Sequence, residues 1–202
     1  TGGRPAGPVY TALVPTQLHR AVTAATHDPD LRATLARLDA VLVGGAATPR
    51  PLLERARGLG LRVVTTYGMT ETCGGCVYDG VPLPGVRVDV RDHVVHLGGS
   101  VLARGYLGRP DLDDAAFTTL EGMRWLRTTD LGALTTARTD DGVRLTVHGR
   151  ADDVVVTGGV KVPPGPVEDA LDGAPGVGQV CVVGVPDAEW GQALTAVVVA
   201  AP

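Results

Sequence analysis

The chain has 202 residues, 44% of them hydrophobic and 3% aromatic, with Lys+Arg 18 against Asp+Glu 22 and a formal net charge of −4. That length holds one large domain or one domain plus part of another, with a core built from Val, Leu and Ala. No basic run marks a nucleic-acid partner, and no apolar stretch is long enough to span a membrane.

The chain opens on Thr1-Gly2-Gly3-Arg4, without a Met or a signal peptide, so a cut N-terminus is expected. Gly 28 and Pro 15 exceed ordinary usage of roughly 12% and mark many turns. Residues 10–15 read as a short buried strand. Thr16 can cap a helix that carries Leu18, Ala21, Val22 and Ala25 on one stripe. Asp28-Pro29 is a second helix start, a capping carboxylate followed by Pro in the first turn. Residues 40–43 and 61–66 read as strands, with a helix from Thr48-Pro49 between them, ended by Gly58 or Gly60. Alternating strand and helix imply a parallel sheet covered by helices.

The pattern changes after Gly74. Arg87-Val88-Asp89-Val90 alternates, and Asp141-Gly142 between residues 131–137 and 143–147 signals a hairpin. Beyond Arg150 come Val154-Val155-Val156, a short helix from Pro166 through Leu171, and apolar strands over residues 177–185 and 194–200. The expected organisation is α/β. Residues 1–74 form part of a large α/β domain and residues 75–149 a β-rich subdomain. Residues 150–202 form a hinge and the start of a small α+β domain. A sheet edge left bare would favour self-association, so a homodimer stays open.

The most informative stretch is Tyr67-Gly68-Met69-Thr70-Glu71-Thr72, which follows the strand over 61–66. Strand ends in open α/β sheets are where ligands bind. Thr70 can donate to a phosphate oxygen, Tyr67 can stack on a base, and Glu71 can hold Mg²⁺, which takes few protein carboxylates. A polar turn with a satisfied Glu would have the same composition. Cys73-Gly74-Gly75-Cys76 has metal or redox spacing but no second pair, and Cys181 is distant, so free thiols in a reducing cytosol are expected. The five histidines are scattered, and none is assigned to catalysis.

Three further segments come in a set order: Val41-Leu42-Val43-Gly44-Gly45-Ala46-Ala47-Thr48-Pro49, Thr128-Thr129-Asp130-Leu131-Gly132, and Val147-His148-Gly149-Arg150-Ala151-Asp152-Asp153 running on to Thr157-Gly158-Gly159-Val160-Lys161. With the Tyr67 stretch, this set resembles the adenylate-forming superfamily of acyl-CoA synthetases, luciferases and nonribosomal adenylation domains. Leu13-Val14-Pro15-Thr16-Gln17-Leu18-His19-Arg20 with Gly44-Gly45 and Gly158-Gly159 is similar to its o-succinylbenzoate–CoA ligase branch, which serves menaquinone synthesis.

The resemblance implies a cytoplasmic AMP-forming acid–thiol ligase using ATP, Mg²⁺, coenzyme A and a small carboxylic acid. It implies Gly44, Gly45 and Ala46 at adenine, with Tyr67 and Gly68 beside them. Thr70 and Glu71 would be catalytic, at the phosphates and at Mg²⁺. Asp130 would grip the ribose, although Thr129 stands where Gly is commoner, and Arg150 would reach the ribose or phosphate. Asp152 would be the hinge, and Gly158 and Gly159 would line the coenzyme A tunnel. A strand-to-helix turn would favour the same small residues at 44–46, and a hairpin the same glycines at 158–159. Gln17 and Arg20 are candidates for the acid substrate, since Arg suits a second carboxylate. The Ser/Thr/Gly-rich, Lys-containing phosphate loop of the superfamily has no match here, and the one lysine, Lys161, sits in the hinge-proximal loop. The expectation is therefore an internal fragment with little activity alone. Open alternatives are another acyl-CoA synthetase, a carrier-loading adenylation domain, or an AMP-binding module without catalysis.

Overall fold

The computed structural model describes residues 7–136 and 142–200. The first layer begins with β1 (Tyr10–Leu13), α1 (Pro15–His27), α2 (Pro29–Ala36), β2 (Ala40–Val43), α3 (Arg50–Gly58) and β3 (Val63–Met69). The strands β1, β2 and β3 pair in parallel, as the alternation of strand and helix implies. Leu18, Val22 and Ala25 recur at helical spacing on α1 and are buried. Leu18 and Val22 pack with Val41, Val43 and Val63 of the sheet, with Leu52 and Ala56 of α3 completing this core. A side chain of Leu18's size, wholly shielded from water, contributes roughly 1.5–3 kcal/mol.

The helix starts of the first layer follow the sequence with two shifts. Asp28 caps α2, its Oδ1 accepting from the N–H groups of Asp30 at 3.0 Å and Leu31 at 2.9 Å. On α1 the cap is Val14 rather than Thr16, because Pro15 already occupies the first helical turn. Gln17 reaches back to accept from the Val14 N–H at 3.0 Å. The third helix opens two residues later than Thr48, with Pro49 at its cap.

The first sheet does not end at residue 74. After a 3₁₀ turn (Thr70–Thr72), β4 (Gly74–Tyr78) turns back antiparallel on β3, and β5 (Val81–Pro82) follows at the edge. The second sheet holds β6 (Val86–Arg91), β7 (Val94–Gly99), β8 (Phe117–Leu120), β9 (Met123–Thr136) and β10 (Val143–Arg150), all antiparallel, with α4 (Pro110–Ala116) before β8. The expected hairpin forms between β9 and β10, although Asp141 lies outside the described residues, as do Thr1-Gly2-Gly3-Arg4. Cys76 and Val77 of β4 join Val86, Val95, Leu97 and Leu145 in a second core, so β4 knits the two sheets together.

A 3₁₀ turn (Ala151–Asp153) leads to the last segment: β11 (Val155–Thr157), β12 (Val160–Val162), α5 (Pro164–Leu171), β13 (Val177–Asp187) and β14 (Gly191–Ala200). The helix α5 starts two residues before Pro166. The last two strands pair with one another and leave Val183, Val185, Val197, Val198 and Val199 exposed. Among the described residues no helix is long and apolar enough to cross a membrane.

Candidate functional site

The strand before the Glu71 turn is longer than its apolar run. Tyr67, Gly68 and Met69 stay in β3 because they pair with β4, with a register shift between Tyr67 and Gly68. A side chain at Gly68 would collide with the Gly74 carbonyl, so close strand approach requires glycine there. Thr72 is buried and fastens the turn, its Oγ1 accepting from the Met69 N–H at 2.9 Å and donating to the Gly74 carbonyl at 2.7 Å. Cys73 then takes a left-handed φ of 56°. Thr70 is left exposed, and Glu71 half-buried.

Asp130 enters from the second sheet. Its N–H donates to Thr128 Oγ1 at 3.0 Å, and that buried hydroxyl donates to the Val95 carbonyl at 2.8 Å. Asp130 Oδ2 accepts the Tyr67 hydroxyl at 2.7 Å across 63 residues of chain. Tyr67 therefore commits its hydroxyl to the carboxylate, which fixes where its ring sits. Burial, then the bond to Asp130, pushes its phenol well above the ordinary range.

Arg150 is the cross-strand partner of Asp130, reached through a bulge between Val147 and Gly149. Its Nη2 lies 2.6 Å from Asp152 Oδ2, so the expected ribose cation and the expected hinge acid form an exposed ion pair. Asp152 first, and Asp130 more weakly, raise the guanidinium's affinity for its proton. Among the described residues no hydrogen bond joins Glu71 to Asp130 or Arg150. Glu71 Oε1 instead accepts from the hydroxyl of Tyr106 at 2.6 Å. Tyr106 carried no signal in the sequence, standing 35 residues away.

Gly44, Gly45 and Ala46 follow β2. A side chain at Gly44 would collide with Thr66 Oγ1, and Gly45 takes φ +84°. With Gln17, Thr66, Gly75 and Tyr78, the two glycines line a cleft of about 400 Å³, within the usual range for small-ligand sites of roughly 300–1,000 Å³. Thr66, Gly75 and Tyr78 were not identifiable beforehand, because β4 brings the last two back beside β3. Arg20 is exposed on α1 and does not line this cleft. A larger groove of about 580 Å³ lies on the second sheet between Asp89, Arg91 and Trp125, and no sequence-derived site residue lines it.

Gly158 and Gly159 make the β11–β12 turn, with φ of 55° and 81°. The Gly158 N–H donates to the Trp190 carbonyl at 2.9 Å, and a Cβ on Gly158 would stand 2.6 Å from the Trp190 ring. Among the described residues no group of three or more His, Cys, Asp and Glu gathers as a metal cage. A cage is not what Mg²⁺ needs, since it binds through one or two carboxylates plus phosphates and water. Glu71, with only Oε1 engaged, fits that requirement. Cys73 is exposed and Cys76 buried, both free; burial pushes the Cys76 thiol up.

Residues 6–107 match the family of AMP-binding enzymes, and residues 166–202 match the C-terminal domain of AMP-binding enzymes. The chain belongs to the AMP-binding enzyme family. Within it, a probable 2-succinylbenzoate–CoA ligase of Mycobacterium tuberculosis is 48% identical over 191 residues, 94% of this chain and 47% of that protein. The structure of Escherichia coli MenE with a bound phenylether-linked analogue of OSB-AMS superposes with a TM-score of 0.72 at 34% identity, covering 96% of this chain and 42% of the other. That of o-succinylbenzoate CoA synthetase from Bacillus subtilis, in complex with the acyl-adenylate intermediate OSB-AMP, gives 0.73 at 28% identity, covering 96% and 42%. The AMP-binding enzyme described here thus spans about half the length of the curated relative it matches.

Proposed function

We propose that this chain is the nucleotide-holding part of an acid–CoA ligase that adenylates o-succinylbenzoate and passes it to coenzyme A in menaquinone synthesis, in the cytoplasm. A carboxylate oxygen attacks the α-phosphorus of ATP, pyrophosphate leaves, and a thiol sulfur then displaces AMP from the acyl carbon. Both steps need positioning and charge stabilisation rather than a protein nucleophile.

One observation carries this reading: Asp130, held by Tyr67 from the other sheet, has Arg150 beside it on β10. A carboxylate accepts from both ribose hydroxyls at once, and a neighbouring planar cation reaches ribose or phosphate. The cleft lined by Gly44 and Gly45 takes adenine, with Ala46 at its rim. Gly68 keeps β3 close to β4 beneath the phosphates. Thr70, exposed at the turn, donates to phosphate, and Glu71 is the carboxylate for Mg²⁺. Mg²⁺ would neutralise charge on the phosphate oxygens there. Gln17 meets the acid substrate at the cleft. Arg20, exposed further along α1, is the cation for the second carboxylate.

Asp152 acts as the hinge, and Gly158 and Gly159 approach the pantetheine arm. Without a Lys-containing phosphate loop or a second lysine, the 202 residues alone give little pyrophosphate exchange. Titration with AMP tests the core of this reading: saturable binding lost in Asp130→Ala supports it, and equal binding by that variant overturns it.

A further inference from the structure

We propose that Tyr106 is a positioning residue that fixes the Glu71 carboxylate for metal binding, an inference resting on the reading of Glu71 as the Mg²⁺ ligand. One short segment grips Glu71 at two points. The Ala103 N–H donates to the Glu71 carbonyl at 2.8 Å, and the Tyr106 hydroxyl donates to Oε1 at 2.6 Å. A carboxylate offers about four lone-pair sites, so Oε2 and the rest of Oε1 stay available.

The grip comes from a braced support. Arg124 donates to the carbonyls of Ala103 at 2.5 Å and Arg104 at 2.8 Å. The Tyr106 N–H donates to Asp113 Oδ1 at 2.7 Å. Phe117 lies 3.8 Å below the Arg124 guanidinium and 6.0 Å from the Tyr106 ring, centroid to centroid. Gly105 has no room for a side chain against Asp113. The hydroxyl is therefore delivered from a fixed place, and Glu71 is ordered before any ligand arrives. Carboxylate ligands commonly depend on such hydrogen bonds, and losing one weakens metal binding by roughly 10- to 100-fold. The carboxylate in turn keeps the donor protonated, raising the Tyr106 phenol to about 12.

The test is Tyr106→Phe, which keeps the ring beside Phe117 and removes only the hydroxyl. Three quantities are measured: the melting temperature, AMP affinity without metal, and Mn²⁺ affinity by electron paramagnetic resonance with a non-hydrolysable ATP analogue. The expected result is Mn²⁺ binding weakened by roughly 10-fold, with AMP affinity and melting temperature close to the parent. In a Glu71→Gln background the same substitution changes Mn²⁺ affinity little. Unchanged Mn²⁺ affinity in Tyr106→Phe, or AMP affinity falling in step with it, overturns the proposal. If Glu71→Gln itself leaves Mn²⁺ affinity unchanged while AMP still binds, the metal role of Glu71 fails instead, and the proposal with it.

Discussion

Asp130 and Glu71 each accept a tyrosine hydroxyl, at 2.7 and 2.6 Å, yet the two bonds sit in different surroundings. Tyr67 packs against the second core and joins two sheets, whereas Tyr106 stands on the connection between β7 and α4. Burial is the foremost cause raising the Tyr67 phenol, and the bond to Glu71 is the foremost for Tyr106. The lesson is that bond length does not rank them. One hydroxyl is tied to the fold, and the other acts on a single carboxylate.

The widest gap is expected for truncation. Tyr67→Ala should cost about 3–5 kcal/mol in urea unfolding, as removal of a packed ring does, while Tyr106→Ala should cost under about half of that. Equal losses would erase the contrast. Next comes Tyr67→Phe, which strips the donor from a half-buried carboxylate and should cost about 1–3 kcal/mol. A smaller effect is expected in Asp130→Asn, where AMP affinity drops roughly tenfold, about 1.4 kcal/mol, in calorimetric titration.

The smallest effect is one of pH. The folded state raises Tyr106 from 10.0 to about 12, so it favours the neutral phenol. The stability this adds is complete below about pH 10 and fades as pH climbs through about 12. Ultraviolet titration should lose a step near pH 12 in Tyr106→Phe, whereas Tyr67→Phe leaves that step in place. A single merged step at the ordinary value would show that neither carboxylate holds its phenol.

The sequence carried the parallel layer well, because strand runs and the Asp28 cap are local signals. It also ordered the segments that supply Asp130 and Arg150. It could not show the partner of the Tyr67 hydroxyl, which is 63 residues distant, and it missed where β3 ends, which is set by pairing with β4 rather than by apolar content. Thr16 looked like a cap on composition, but Pro15 moved the cap two residues earlier, to Val14. Tyr106 left no trace, since nothing in its own neighbourhood encodes contact with Glu71. Long-range hydroxyl–carboxylate bonds are what residue spacing conceals.

One strand, β3, is parallel to β2 on one side and antiparallel to β4 on the other. Its side chains alternate between faces, so losing one residue from its β2-paired part, Val63 to Thr65, would turn Tyr67 away from Asp130 while also unseating Thr66 from the floor beneath Gly44. Both neighbours read the same ruler there, and the irregularity that β3 does tolerate lies beyond it, between Tyr67 and Gly68.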